Sequence, residues 1–272
     1  MKKNILLTLF VYFGFLGAVS AACTVTGGVT TFPSSDHADS GDHTCFAEPD
    51  FYQIKIYEMA LCTSAPTAPT SASAMVTTGC TVVLSSPTGT SVSVTKGATS
   101  GIAGAVTRPA NGTYTHGYIR VDKTVIIGDS RQYDVSLDSN HDGTATGVFC
   151  ATAAGGSVST SQTCSTSAVT AVNLTSAFNF NDASGVHYAY PTSGTPLAFL
   201  VKSDEKLAAS TSDVAYLVGT EVFSTPVVVT DSSTTMDVSF RASQALMIDH
   251  SSNTGDRLQL GAGPFAATIT VN

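Results

Sequence analysis

Residues Phe51–Leu61 read FYQIKIYEMAL, and this stretch decides the fold. Tyr52, Ile54 and Ile56 hold one phase of a two-residue period; Tyr57, Met59 and Leu61 hold the other. A period of two is the alternation of a strand. The β-branched and aromatic content favours strand over helix. The change of phase at Ile56-Tyr57 predicts a β-bulge, or a strand buried on both faces at its far end.

Working outward, the same grammar repeats. Thr63–Ala74 (TSAPTAPTSASA) is a Pro/Ser/Ala loop. Thr81–Leu84 and Ser91–Thr95 read as short strands around the turn Ser86-Pro87-Thr88-Gly89, with Pro at a favoured position. Asn111-Gly112 is a hairpin signal. Beyond it, Tyr114, His116, Tyr118 and Arg120 alternate against Thr115, Gly117, Ile119 and Val121. Val125–Ile127 and Tyr133–Leu137 continue the pattern. Later strands are expected at 172–174, 178–180, 197–201, 215–218, 227–230, 236–240, 257–260 and 266–271, with one helical turn at 242–247. Short strands with frequent turn signals predict an all-β, antiparallel β-sandwich, prealbumin-like or immunoglobulin-like. No βα alternation predicts a parallel enzyme core, and no fixed-period repeat stands out. The expected organisation is a signal peptide at 1–21, an N-terminal arm or loop at 22–50, and a sandwich over 51–272 with a loop-rich insertion near 138–170.

The N-terminus sets the compartment. Lys2 and Lys3 form a positive region, Ile5–Leu16 is largely apolar, and Val19-Ser20-Ala21 offers small residues to signal peptidase. Ile5–Leu16 is 12 residues long, whereas a bilayer span needs about 20. The expectation is therefore an exported chain with no membrane span once Ala21 is cleaved. Secreted, cell-surface and periplasmic destinations all fit.

All six cysteines follow Ala21, which fits an oxidising space. Their grouping favours Cys23–Cys45, Cys62–Cys80 and Cys150–Cys164 among fifteen pairings. A lipid on Cys23 competes with the first bridge. Ser20 stands where a lipobox wants Leu, and even parity favours the disulfide. No CxxC spacing suggests zinc.

Composition excludes whole classes of partner. Removing Lys2 and Lys3 leaves 10 basic against 20 acidic side chains. Such a chain does not suit nucleic acid, whose binding needs clustered Lys and Arg. Charged residues are only 12%, yet 43% hydrophobic content is enough for a core, so disorder is not expected.

Three clusters invite a chemical reading. Asp138-Ser139-Asn140-His141-Asp142-Gly143 matches the opening of a calcium loop, with Asp138, Asn140 and Asp142 as oxygen donors. Phe149 stands where the bidentate Glu belongs, and an Asx-turned hairpin loop is the competing reading. Calcium is the one cofactor the sequence suggests. Asp36, His37, Asp39, Asp42 and His43 lack rigid-site spacing and read as a solvated loop. Asp249, His250 and Asp256 beside Ser251 and Ser252 suggest a triad, but no GxSxG elbow accompanies them. Tyr114, His116 and Tyr118 share a strand phase and could present a stacking platform to sugar or peptide. Covering a sandwich face is the alternative.

The segments YQIKIYEMALCTS, RPANGTY, THGYIRVD and MDVSFRASQAL…LQLG resemble secreted bacterial β-sandwich domains of the prealbumin-like kind. That resemblance covers roughly residues 51–127 and 234–272. It implies a scaffold or adhesive role and no chemistry, and no residue matches the family's isopeptide positions. The expected function is an exported, non-enzymatic structural, surface or self-assembling protein, with self-association or a surface partner. The alternative is a calcium-dependent adhesion or glycan-binding module.

Overall fold

The computed structural model describes residues 9–14, 22–32, 42–102, 107–154, 162–178, 190–191, 196–233, 235–251, 256–263 and 265–271. In chain order the strands begin with β1 (Leu9–Gly14), β2 (Thr24–Thr26), β3 (Val29–Thr31), β4 (Asp42–Ala47), β5 (Phe51–Cys62), β6 (Cys80–Thr95) and β7 (Ser100–Gly101). They continue with β8 (Gly112–Gly128), β9 (Ser130–Leu137), β10 (Gly147–Thr152), β11 (Gln162–Ser165), β12 (Leu174–Ala177) and β13 (Tyr190–Pro191). The last are β14 (Pro196–Val201), β15 (Tyr216–Val229), β16 (Met236–Arg241), β17 (Leu246–Ser251), β18 (Arg257–Ala262) and β19 (Ala266–Val271). The one helical element among the described residues is a 3₁₀ turn at Thr211–Asp213.

The fold is all-β with several antiparallel sheets, as the alternation predicts. The largest sheet runs β13-β14-β15-β8-β5-β6, with β12 also on β8. Three smaller sheets run β1-β19-β16-β7, β11-β10-β9-β3-β2 and β18-β17-β4. One buried cluster joins them, drawing Ile54, Ile56 and Ile127 from the large sheet, Phe240 and Ile269 from the first small one, and Tyr133 and Leu258 from the others. Phe240 sits at its centre, 6.0 Å from the Tyr52 ring and 5.1 Å from Phe265.

β5 behaves as its sequence says. Ile54 and Ile56 enter the main core, the register shifts between Ile56 and Glu58, and Met59 and Leu61 then take the inward phase. Ala60 and Cys62 are buried on the other face, in a second cluster with Met75, Tyr118 and Phe199. Both halves of the expectation, bulge and two-sided burial, are met in one strand.

Several boundaries differ. The two strands expected around Ser86–Gly89 are one long β6, interrupted where Ser85 pairs with Glu58 and Thr90 with Ile56. Gly89 has φ +75°, and an added Cβ would lie 2.6 Å from the Lys55 side chain, so the interruption needs glycine. Asn111-Gly112 does not close a hairpin between adjacent strands, because β8 pairs with β5, β12 and β15. Its Asn111 instead binds Arg108 and Asp231, clasping two loops together. The helical turn expected at 242–247 is a tight turn, Ala245 N–H to Ala242 carbonyl, leading into β17. Strand competence of Leu246–Ile248 wins because β4 and β18 pair it on both sides. The segment 22–50 contributes strands: β3 pairs parallel with β9, and β4 pairs with β17. The 138–170 segment holds β10 and β11. Of the strand expected at 178–180, residues 179–180 lie outside the described residues.

The three disulfides are Cys23–Cys45, Cys62–Cys80 and Cys150–Cys164, the grouping favoured by the sequence. Two of them link directly opposed residues of neighbouring strands. Replacing both Cys62 and Cys80 with Ala frees a loop with sequence separation 18, and should cost about 3 kcal/mol by the loop-entropy model. Chemical denaturation of the oxidised variant checks this. Two buried tyrosines, Tyr52 and Tyr133, have hydroxyls with no hydrogen-bond partner among the described residues. Tyr52→Phe should therefore stabilise the protein, by about 1 kcal/mol, since it removes an unsatisfied polar atom and keeps the ring. A raised melting temperature is the expected readout.

Candidate functional site

The structure brings together two clusters that the sequence separates. Asp138 directly follows β9 and is fully buried. Its Oδ1 accepts the N–H groups of Asn140 and His141 at 3.0 and 2.8 Å, and Oδ2 accepts that of Gly143 at 2.8 Å. Asp142 caps the next step, its Oδ1 accepting Thr144 N–H at 2.9 Å. His141 (φ 58°) and Gly143 (φ 86°) turn the chain through the left-handed region. The loop then docks on β18. Asp138 N–H donates to the Asp256 carbonyl at 2.9 Å, Leu258 N–H donates to the Asp138 carbonyl at 3.2 Å, and the His141 ring lies 2.9 Å from the Leu258 carbonyl.

This geometry is that of an Asx-type loop. Burial pushes the Asp138 carboxyl up, but backbone amides of Gly143, Asn140, His141 and Asp142 outweigh that and hold it below the ordinary range. Both Asp138 oxygens are occupied by amides, and Asp142 serves Thr144. Asn140 contributes its backbone N–H. No group of three or more His, Cys, Asp or Glu converges as a metal site among the described residues. The calcium reading of Asp138, Asn140 and Asp142 thus gains no support here.

Beside that loop, His250 is fully buried on β17. Its Nε2 lies 3.3 Å from Asp256 Oδ1, and its ring stacks on Phe32 at 4.3 Å, which in turn stacks on Tyr133 at 5.6 Å. Asp249 and Ser251 belong to the opposite phase of the strand. Asp249 accepts the Thr44 hydroxyl at 2.9 Å. His250 and Asp256 are therefore brought together, while Asp249 and Ser251 are directed away from them. Ser252 lies outside the described residues. Of the N-terminal cluster, Asp36, His37 and Asp39 lie outside them too, while Asp42 and His43 belong to β4, where the His43 backbone pairs with His250.

The aromatic platform of Tyr114, His116 and Tyr118 is corrected by burial. Tyr114 is buried in the main core and its hydroxyl donates to the Ala110 carbonyl at 2.8 Å. Tyr118 is buried in the second cluster, under Met75 and Phe199. His116, half-buried, has its ring Nδ1 2.8 Å from Thr115 Oγ1, and burial lowers its pKa. For Tyr114 the physical reason is the main core itself; for Tyr118 it is the loop after Cys62. Cys62–Cys80 closes it, Leu207 N–H binds its Thr70 carbonyl, and it folds over the sheet face that the strand pattern alone leaves open. Neither tyrosine offers a free ring face.

Two charged assemblies were not singled out by sequence. Arg120 lies between Glu58, at 3.6 Å, and Glu205, and 5.5 Å from the centre of the Tyr216 ring. Tyr57 meets Tyr216 edge-on at 5.1 Å and donates to Asp122 at 3.2 Å. Burial raises the Glu58 pKa, against the pull of Arg120. Arg131 grips Asp129 with two bonds of 2.6 Å, and Nη2 also reaches the Glu48 carbonyl at 3.3 Å. The available signal was a charge inside apolar strands, as in IKIYEM and YIRVD.

A third candidate is backbone alone. β1 runs antiparallel along the whole of β19, from Leu9 opposite Val271 to Gly14 opposite Ala266, while β16 holds the other side. Among the described residues no helix is long and apolar enough to cross a membrane. Fold and clusters together define a class only: an all-β protein of several antiparallel sheets, bridged by three disulfides. No family model, no curated protein and no solved structure matches this chain.

Proposed function

We propose that this chain is an exported, non-enzymatic β-sandwich protein with a structural or surface role, built to persist outside the cytoplasm and to self-associate. The observation that carries this reading is the disulfide set. Every cysteine downstream of Ala21 is paired, and two of the pairs tie neighbouring strands together. Bridges of this kind persist in oxidising compartments. The low charge fraction and acidic balance agree with a surface that avoids nucleic acid and anionic lipid. The best-formed clusters are internally satisfied: Asp138 binds its own loop, and Arg131 binds Asp129. The resemblance to prealbumin-like domains belongs to this reading, as a scaffold role in a bacterial surface protein.

Fractionation tests it. The full chain, produced with its own N-terminus in a bacterial host, is expected in the periplasm, surface or medium, starting at Ala22 and with no free thiol. Retention in the cytoplasm with reduced cysteines would overturn the proposal.

A further inference from the structure

We propose that the outer edge of β19 is the surface through which two copies of the mature chain associate, β19 against β19, across a two-fold axis. This rests on the export reading, because β1 lies wholly inside residues 1–21. Cleavage after Ala21 removes a strand that pairs with every residue from Ala266 to Val271. The outward N–H and C=O groups of β19 then lose their partners, and an open edge of that kind recruits another strand.

Nothing in β19 guards the edge. AATITV has no charge and no proline, the usual protections. Ala267 and Ile269 are fully buried and β16 pairs the inner side throughout, so the strand is held in place with its edge outward. The residues that follow the cleavage point cannot refill the slot. Cys23 is bonded to Cys45, and β2 and β3 form a hairpin that continues onto β9. A second copy presents the same bare strand. Two identical strands can pair antiparallel about a two-fold axis, an isologous contact that closes at a dimer. β1 shows that this edge accepts the antiparallel sense over its full length. The product is a continuous sheet in the order β7-β16-β19-β19-β16-β7.

The experiment uses the exported protein. N-terminal sequencing first establishes whether residues 1–21 are gone. Sedimentation equilibrium then gives the association state, and amide hydrogen exchange locates the contact. The expected result is a dimer starting at Ala22, with the amides of 266–271 more protected at high protein concentration. Thr270→Lys, at a half-buried edge position, should weaken association roughly tenfold by placing a charge from each copy on the shared sheet. A solubilised peptide of residues 9–14 should compete and yield monomer. A chain starting at Ala22 that stays monomeric at the highest attainable concentration overturns the inference and leaves the export reading intact. So does a dimer in which 266–271 exchange equally at all concentrations, which holds even if Thr270→Lys fails to fold. An exported chain that retains residues 1–21 overturns the cleavage on which the inference stands.

Discussion

Arg131→Met is expected to lower the unfolding free energy by about 3–5 kcal/mol at neutral pH, the usual cost of stripping one partner from a buried ion pair. Asp129 is fully buried and the Arg131 side chain is 9% exposed, so neither charge is relieved by water. The guanidinium fork is the main compensation for the carboxylate. Burial raises the Asp129 pKa, and the two Arg131 bonds pull it back. Methionine keeps much of the volume but leaves the charge. Asp129 must then take up a proton or remain charged at high cost. A group whose folded pKa lies above its unfolded value favours folding below the unfolded value and loses that benefit as pH rises through the folded one. The variant's deficit should therefore shrink as pH falls from 7 toward the ordinary aspartate range. Asp129→Asn combined with Arg131→Met should recover part of the loss at neutral pH. Urea titrations of the three proteins at several pH values check this. A deficit independent of pH would mean that lost packing, not the orphaned charge, is responsible.

The strand pattern was legible because period-two burial is local. Ala266–Val271 and Met236–Phe240 alternate cleanly, and they are strands β19 and β16 within a residue. The bulge in β5 announced itself as a change of phase. The disulfides followed from grouping, since each pair flanks one excursion of the chain. What was not legible depends on contacts distant in sequence. The parallel pairing of β3 with β9 joins residues about a hundred positions apart, and nothing in VTT signals it. The merging of Ser86–Gly89 into β6 depends on β5 lying beside both halves.

The chemical clusters show the same division. The DSNHDG loop was visible as a turn, yet its docking on Asp256 and Leu258 required the fold. The tyrosines of β8 were read as one strand face, yet Tyr114 enters the main core and Tyr118 the second cluster. The loop that covers Tyr118 comes from residues 63–79, outside that strand, and burial on both sides turned a platform into core. Arg131 and Asp129, two residues apart, share a phase, and only the fold reveals that this phase is sealed from water.

Asp138→Ala is the second large effect, expected at about 3–5 kcal/mol. Three part-buried loop amides lose their acceptor at once; a buried donor left unsatisfied costs about 1–3 kcal/mol, and hydration of the amides of the exposed residues Asn140 and Gly143 limits the sum. The damage should spread to β18, because the Asp138 backbone exchanges hydrogen bonds with Asp256 and Leu258. The pH dependence has the opposite sign to that of the Arg131 variant. Amides hold the Asp138 pKa below its ordinary value of 3.8, against the upward push of burial. Its contribution is present above that value and is lost as pH falls through the folded pKa. The gap between the natural protein and Asp138→Asn, which keeps one acceptor oxygen but no charge, should therefore close in strong acid. Thermal melts between neutral pH and acid, with and without millimolar calcium, read both predictions together. Calcium should leave the natural protein's melting temperature unchanged, because the Asp138 carboxylate is already committed to its own backbone. A rise with calcium that Asp138→Asn abolishes would mean instead that the loop opens to a cation and that its amide bonds are the resting arrangement of a metal site.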